Sequence, residues 1–184
     1  MYFEGKGPGF TDRTLEIAKK EAVGRGVSHV VVASTGGDTG VRAAKLFAGT
    51  GVRVVVVTHN TGFKGEAPNE MDPAARAEIE RLGGVVHTGT MALRGLGCAV
   101  RQMCGNFSHE QIVAATLRIF GEGIKVCVEI AAMASDAGLV PFGDVICVAG
   151  TARGADTCAL VRANSSNRFF DLKVREIFAK PRDF

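Results

Sequence analysis

The chain contains 184 residues, of which 46% are hydrophobic and 22% charged, and its formal net charge is +3. This length suits one well-buried domain over residues 1–184, and the average charge content argues against disorder. No Lys/Arg block, aromatic-interleaved basic stripe or run of about 18 apolar residues occurs, so we expect no binding to nucleic acid and no membrane span.

The cysteines favour a reducing compartment. There are five of them, an odd number, and none forms a Cys-x-x-Cys pair that would suggest structural zinc. Residues 1–7 lack the apolar core of a signal peptide. We therefore expect a cytoplasmic protein with free thiols and no metal site.

Buried-strand and helix patterns alternate through the first half of the chain. Unbroken apolar runs predict strands buried on both faces, and apolar residues at helical spacing predict the helices between them. Thr11 is the predicted cap of the first helix, and Asp72 with Pro73 begins the third. The predicted elements are a helix over 11–23, a strand over 27–33, a helix over 41–48, a strand over 52–58, a helix over 72–82 and a strand over 85–88.

The second half adds further helices and a predicted antiparallel strand pair. Ser108 and Gln111 form a capping box at the start of one helix. The predicted elements are a broken helix over 89–106, helices over 109–120 and 124–137, a buried strand over 144–149, and two edge strands over 157–163 and 170–178 that pair with each other. The order predicts an α/β fold, a three-layer α/β/α sandwich around a mixed, mostly parallel sheet.

Three loops follow buried strands and are expected to meet at one edge of the sheet, because ligands of such folds bind beyond the carboxyl ends of the strands. The first loop, Ser34-Thr35-Gly36-Gly37-Asp38-Thr39-Gly40, runs directly into a helix. Its backbone N–H groups, the first-turn donors and the hydroxyls can converge on a phosphate.

This first loop resembles the flavodoxin phosphate loop, Ser/Thr-x-Thr-Gly-x-Thr. Ser34, Gly37 and Thr39 match that pattern, and Gly36 replaces its central threonine. Asp38 would repel a phosphate, so we expect it to cap the helix. The alternative interpretation is a tight strand-to-helix turn capped by Asp38 or Thr39.

The second loop contains Thr58, His59, Asn60, Gly62 and Phe63. His59 is a candidate donor to a ligand oxygen, and Phe63 is a candidate cover for a planar ring. No partner base or orienting residue for His59 is visible, so no catalytic residue is assigned. An ordinary surface loop is the alternative.

The third loop contains Gly150, Thr151 and Arg153. Arg153 can make a bidentate contact to a phosphate or carboxylate, the alternative being a solvated arginine in a hairpin turn.

A polar stripe runs along the predicted helix over 124–137. It consists of Lys125, Glu129, Met133 and Asp136. We interpret it as a solvated face or a polar seam between subunits, with a buried functional Glu129 as the alternative.

The middle of the chain resembles the C-terminal α/β domain of pyruvate kinase. Its strand and loop Val30–Gly36, its helix residues Ala43-Ala44-Lys45 and its strand Val54–Thr58 carry the resemblance. In that kinase the matching loop belongs to an effector region that can hold a sugar phosphate. Catalysis belongs to a separate barrel, so the resemblance does not imply pyruvate kinase activity.

Nearly the whole chain resembles the small stand-alone pyruvate kinase C-terminal domain-like proteins of archaea and bacteria. The matching segments are Tyr2-Phe3-Glu4, Val32-Ala33-Ser34, Val57-Thr58-His59, Gly62-Phe63, Lys125–Ala131, Asp136–Leu139, Gly154–Thr157 and Phe170-Asp171-Leu172. This resemblance implies a five-stranded mixed sheet with one antiparallel strand.

The sequence therefore predicts a protein that binds a phosphate-bearing ligand, with FMN as the first candidate. Residues 34–39 would hold the phosphate, His59 and Phe63 would border the ring, and Arg153 would close the site. A bound flavin would imply a redox activity. The alternatives are a non-catalytic sensor of a sugar phosphate and an assembly protein whose late helices form a subunit interface. A homo-oligomer is expected.

Overall fold

A seven-stranded mixed sheet organises the part of the chain that the computed structural model describes, residues 1–66 and 69–184. The strands lie in the order β1-β7-β6-β5-β2-β3-β4. Strand β6 runs antiparallel to both of its neighbours, and the other neighbouring pairs are parallel. The strands are β1 (Tyr2–Phe3), β2 (His29–Ala33), β3 (Arg53–Val57), β4 (Val85–His87), β5 (Asp144–Ala149), β6 (Thr157–Arg162) and β7 (Lys173–Pro181).

Helices cover both faces of this sheet. Two short 3-10 helices, Pro8–Phe10 and Ser166–Asp171, accompany the longer ones. No helix in the described ranges combines the length and apolar character needed to cross a membrane. The α-helices are α1 (Thr11–Arg25), α2 (Asp38–Phe47), α3 (Pro73–Arg81), α4 (Gly95–Cys104), α5 (His109–Arg118) and α6 (Glu122–Asp136).

The central strands bury side chains on both faces, which explains their unbroken apolar sequences. Alternate residues such as Val30, Val54 and Ile146 pack in a core with α1, α2 and α3. Their neighbours, such as Val31 and Cys147, pack in a second core with α6. The predicted α/β class is confirmed, with helices on the two sides of one sheet.

The edge of the sheet differs from the prediction. The sheet has seven strands where the resemblance implies five, and β1 covers β7 through pairing of Tyr2 with Lys180, so the β6–β7 pair is not outermost. Residues 166–171 form a 3-10 turn, and the last strand begins at Lys173. Within that turn, Arg168 Nε donates to Asp171 Oδ2 at 2.8 Å, and the predicted start of the strand at Phe170 is therefore wrong by three residues.

Of the four predicted helix caps, those of Asp72 and Ser108 are present. The Asp72 carboxylate accepts the Ala74 N–H at 3.0 Å, and Ser108 Oγ accepts the Gln111 N–H at 3.4 Å. Thr11 does not cap α1, because it is already the first helical residue.

The Thr11 hydroxyl has a different role. It accepts the Ala155 N–H at 3.0 Å and thereby joins the start of α1 to the segment before β6. Thr14 of the same helix donates to the Ala155 carbonyl at 3.2 Å. The start of α1 is therefore held against the loop that follows β5.

We predict that Gly37→Ala destabilises the fold. Gly37 has φ of 106°, and a Cβ there would overlap Ala75 Cβ and lie 2.9 Å from Met71 Sδ, so α3 would have to move. We expect a loss of about 1–3 kcal/mol in urea denaturation. Gly24→Ala is the control, because Gly24 lies in α1 with nothing within 4 Å and should be neutral or slightly stabilising. Equal effects of the two substitutions would contradict the packing argument.

Candidate functional site

A cavity of about 150 Å³ lies at the carboxyl ends of β2 and β3, between these strands and α6. Polar and charged side chains from five separate segments face it, together with apolar side chains. Its lining is Ala33, Ser34, Thr35, Val57, Thr58, His59, Phe63, Met91, Arg94, Arg118, Glu122, Lys125, Val126, Glu129, Ile130 and Met133. The first two of the three predicted loops therefore meet at one site.

The first loop contributes only its first two residues to the cavity lining. Ser34 and Thr35 line it, whereas residues 36–39 do not. Ser34 Oγ accepts the Gly40 N–H at 3.1 Å and so satisfies a first-turn donor of α2. Asp38 makes no capping hydrogen bond and its exposed carboxylate lies 3.5 Å from Arg42, so the prediction that Asp38 caps this helix is wrong.

His59 is held in place by a carboxylate. Its Nδ1 lies 2.9 Å from Glu70 Oε2, and its ring stacks on Phe63 at a centroid distance of 3.8 Å. Hydrogen bonds from Lys64 and His59 lower the pKa of Glu70 below its usual value. Glu70 is thus the orienting partner that the sequence did not reveal, since it follows His59 by eleven residues without a recognisable spacing.

The remaining residues of the second loop make local contacts. Thr58 Oγ1 lies 2.7 Å from Thr88 Oγ1 and 2.7 Å from the His59 carbonyl. Asn60 donates to the Thr61 carbonyl at 2.7 Å, and Gly62 has φ of 79°. Thr58 lines the cavity, whereas the other two do not.

The third loop lies away from the cavity lining. Arg153 is exposed, and none of Gly150, Thr151 and Arg153 lines the cavity. The fully buried Asp156 accepts the backbone N–H groups of Thr151 and Gly7 at 3.1 and 2.9 Å. This loop is therefore tied to the segment before α1, on the side of the sheet opposite α6.

Arg94 is a cavity residue that no sequence motif indicated. Its guanidinium carbon lies 4.4 Å from the centre of the Phe63 ring. Among residues 1–66 and 69–184, Arg94 forms no ion pair with a carboxylate, whereas the other cationic residues of the lining do. It lies in the region 89–106, where the sequence predicts only a broken helix.

The polar stripe of α6 is largely buried, which overturns its interpretation as a solvated face. Lys125 is 4% exposed and Glu129 is 1% exposed, and they form an ion pair one helical turn apart. Met133 is also buried, and only Asp136 is exposed. The segment that precedes α4 covers the stripe: its Leu93 N–H donates to Glu129 Oε1 at 2.9 Å, and Met91 and Arg94 line the same cavity as Lys125 and Glu129.

The charges of the lining leave one cation in excess. Three cationic side chains, Arg94, Arg118 and Lys125, face two carboxylates. Arg118 pairs with Glu122 at 2.5 Å and Lys125 pairs with Glu129. With hydroxyls from Ser34, Thr35 and Thr58 at the same cavity, this arrangement suits an anionic group with several oxygen atoms.

The three buried cysteines are poor candidates for thiol chemistry. Burial raises the pKa of Cys127, Cys147 and Cys158, so these thiols stay protonated near neutral pH. The His59–Glu70 pair is better suited to proton transfer, since a carboxylate that orients an imidazole is a common acid–base arrangement.

A scan against protein-family models finds none that matches this chain.

We predict that Lys125→Met destabilises the protein by about 3–5 kcal/mol, because it leaves the buried Glu129 carboxylate without its counter-charge. The double substitution Lys125→Met with Glu129→Gln should recover most of that loss, since it removes both charges and keeps an oxygen that accepts the Leu93 N–H. Urea denaturation of the three proteins measures both effects. A single variant as stable as the wild type would contradict the coupling.

Proposed function

We propose that this protein binds a phosphate-bearing small molecule in the cavity between β2, β3 and α6. The observation that carries the proposal is the position of Arg94, which lines the cavity and has no carboxylate partner in the described ranges. A guanidinium without a counter-charge attracts an oxyanion and matches its geometry with paired N–H donors.

Hydrogen-bond donors near Arg94 support a phosphate. Ser34 and Thr35 bring hydroxyls to the cavity. The backbone N–H groups of Thr35, Gly36 and Gly37 have no hydrogen-bond partner among the described residues, and they precede the start of α2. The proposal keeps residues 34–39 as the phosphate loop, with Ser34 and Thr35 nearest the ligand. Arg153 would belong to the site only if a ligand extended beyond the cavity toward the third loop.

FMN remains the first named candidate, and its two parts fit the residues unequally. The donors suit its phosphate, but a cavity of about 150 Å³ is smaller than the roughly 300–1,000 Å³ typical of ligand pockets. Phe63 already stacks on His59, so a flavin ring needs this pair to separate or must lie outside it. When bound, FMN would supply electron and hydride transfer.

A non-catalytic sensor of a sugar phosphate is the second candidate. The small volume of the cavity favours it, because a sugar phosphate needs less room than a tricyclic ring. The proposed relationship to the C-terminal domain of pyruvate kinase agrees with this candidate. The proposal places the protein in the cytosol, where its five free cysteines would stay reduced.

Arg94→Met should weaken binding of the phosphate ligand by about tenfold or more, because it removes the unpaired charge. Isothermal titration with FMN and with fructose 6-phosphate, a sugar with a single phosphate, compares the two candidates. Arg13→Met is the control, since Arg13 is exposed on α1 and pairs with Glu16. No binding of either compound, together with no phosphate compound released by heating the purified protein, would contradict the proposal.

We also propose that the protein forms a homo-oligomer through its late helices. The α4 residues Leu96 and Met103 are 82% and 81% exposed, and Phe107 and Ile112, before and within the neighbouring helix α5, are also exposed. Exposed apolar patches of this kind mark interaction surfaces. If assembly is the main role, as in the third candidate class, ligand binding should be absent while the oligomer persists.

Replacing Leu96 and Met103 with serine should convert the oligomer to a monomer, because both apolar side chains would leave the interface. Light scattering after size exclusion measures the mass. Serine in place of Val23, an exposed apolar residue of α1, is the control. A wild-type protein that is monomeric at micromolar concentration would contradict this proposal.

A further inference from the structure

The floor of the cavity contains a buried ammonium group with spare hydrogen-bonding capacity. Lys125 has three N–H donors, and Glu129 is the only acceptor in hydrogen-bond contact with its Nζ within residues 1–66 and 69–184. Because Lys125 is 4% exposed, bulk water has little access to the remaining donors. Unmet donors at a cavity wall favour the binding of a ligand oxygen that accepts a hydrogen bond from them.

Stability does not account for this ion pair. Burying two charges costs several kcal/mol for each, and a pair of this kind is often replaced by uncharged residues without loss of stability. Both side chains also line the cavity beside apolar residues of α6 such as Val126 and Ile130. The ion pair is better explained by a role in ligand recognition.

The net charge of the Lys125–Glu129 pair determines which ligand group can bind at the floor of the cavity. Glu129 neutralises Lys125 and lies against it, so a second anion bound there would meet the Glu129 carboxylate at short range. A neutral oxygen, from a hydroxyl or a carbonyl group, accepts from the ammonium without that repulsion. Arg94, which has no counter-charge in the described part of the chain, is the better partner for the anion.

We infer that the ligand is a phosphate ester that carries a hydroxyl or carbonyl oxygen a few atoms from its phosphate, and that Lys125 binds this oxygen. The inference rests on the proposed phosphate site and refines its ligand class. The ribityl chain of FMN and the carbon chain of a sugar phosphate both meet the description. Glu129 is a positioning residue, because it holds Lys125 in place and accepts the N–H of Leu93, the neighbour of Arg94.

Two phosphate esters with the same number of carbon atoms test the contact between Lys125 and the ligand oxygen separately from the phosphate site. Glycerol 3-phosphate carries two hydroxyls, and propyl phosphate carries none. For the wild type we expect glycerol 3-phosphate to bind about tenfold or more tightly, because a hydrogen bond from a charged donor discriminates by at least that factor. Isothermal titration calorimetry at constant ionic strength gives the ratio of the two dissociation constants.

The variants test whether Lys125 is responsible. In Lys125→Met with Glu129→Gln, which is expected to fold because no charge is left unpaired, the ratio should fall to within about twofold of one. The matched control Lys20→Met replaces an exposed lysine of α1 and should keep the wild-type ratio.

The two kinds of failure are distinguishable. Equal affinity of the wild type for both esters would overturn the inference and leave the phosphate site in place. A double variant that keeps the wild-type ratio would also overturn it, because another residue would then recognise the oxygen. If neither ester binds to the wild type, the inference is overturned, and the phosphate site is refuted with it when FMN and the sugar phosphate also fail to bind.

Discussion

The site depends on the buried carboxylate of Glu129. A charge that is 1% exposed needs a counter-charge and hydrogen bonds, and Lys125 and the Leu93 N–H supply them. The hydrogen bond to Leu93 fixes the segment before α4, and Arg94 follows directly within it. Arg94 in turn contacts Phe63, which stacks on His59. Glu129 of α6 thus connects, through Leu93 and Arg94, the segment before α4 with the loop after β3, and both segments line the cavity.

The interior of the fold could be predicted because burial on both faces leaves an unbroken apolar sequence. Strand β5 has the predicted limits, and β2 and β3 lie within theirs. The edge could not be predicted in the same way. Strand β1 has two residues and exists through its pairing with β7, nearly the whole chain away, so no local pattern contains it. Phe170 matches the apolar/polar alternation of the strand that follows it, but it lies in the 3-10 turn at 166–171 and its side chain is exposed.

The site was predictable only where its residues follow strands. Ser34 and His59 follow β2 and β3, and the geometry of a parallel sheet brings such positions together. Glu70, Arg94 and Arg118 come from segments without a strand or motif to place them. The stripe containing Lys125 and Glu129 was visible, but amphipathic spacing does not tell whether a polar face meets solvent or a cavity. That distinction depends on residues 91–94, which are distant in sequence and cover the stripe.

The glycines of the first loop are needed for helix packing, whether or not a ligand binds there. Gly37 and Gly40 allow α2 to approach Ala75 and Ile79 of α3, so their presence would be required even without a phosphate. The selectivity of the cavity must therefore come from side chains outside the glycine pattern. Glu122 and Glu129 neutralise Arg118 and Lys125, and of the cavity's cations only Arg94 is left without a carboxylate partner in residues 1–66 and 69–184. For the proposed phosphate ligand, one unbalanced charge would favour a molecule with one anionic group and otherwise neutral oxygen atoms over a polyanion, whose second charge would face a carboxylate.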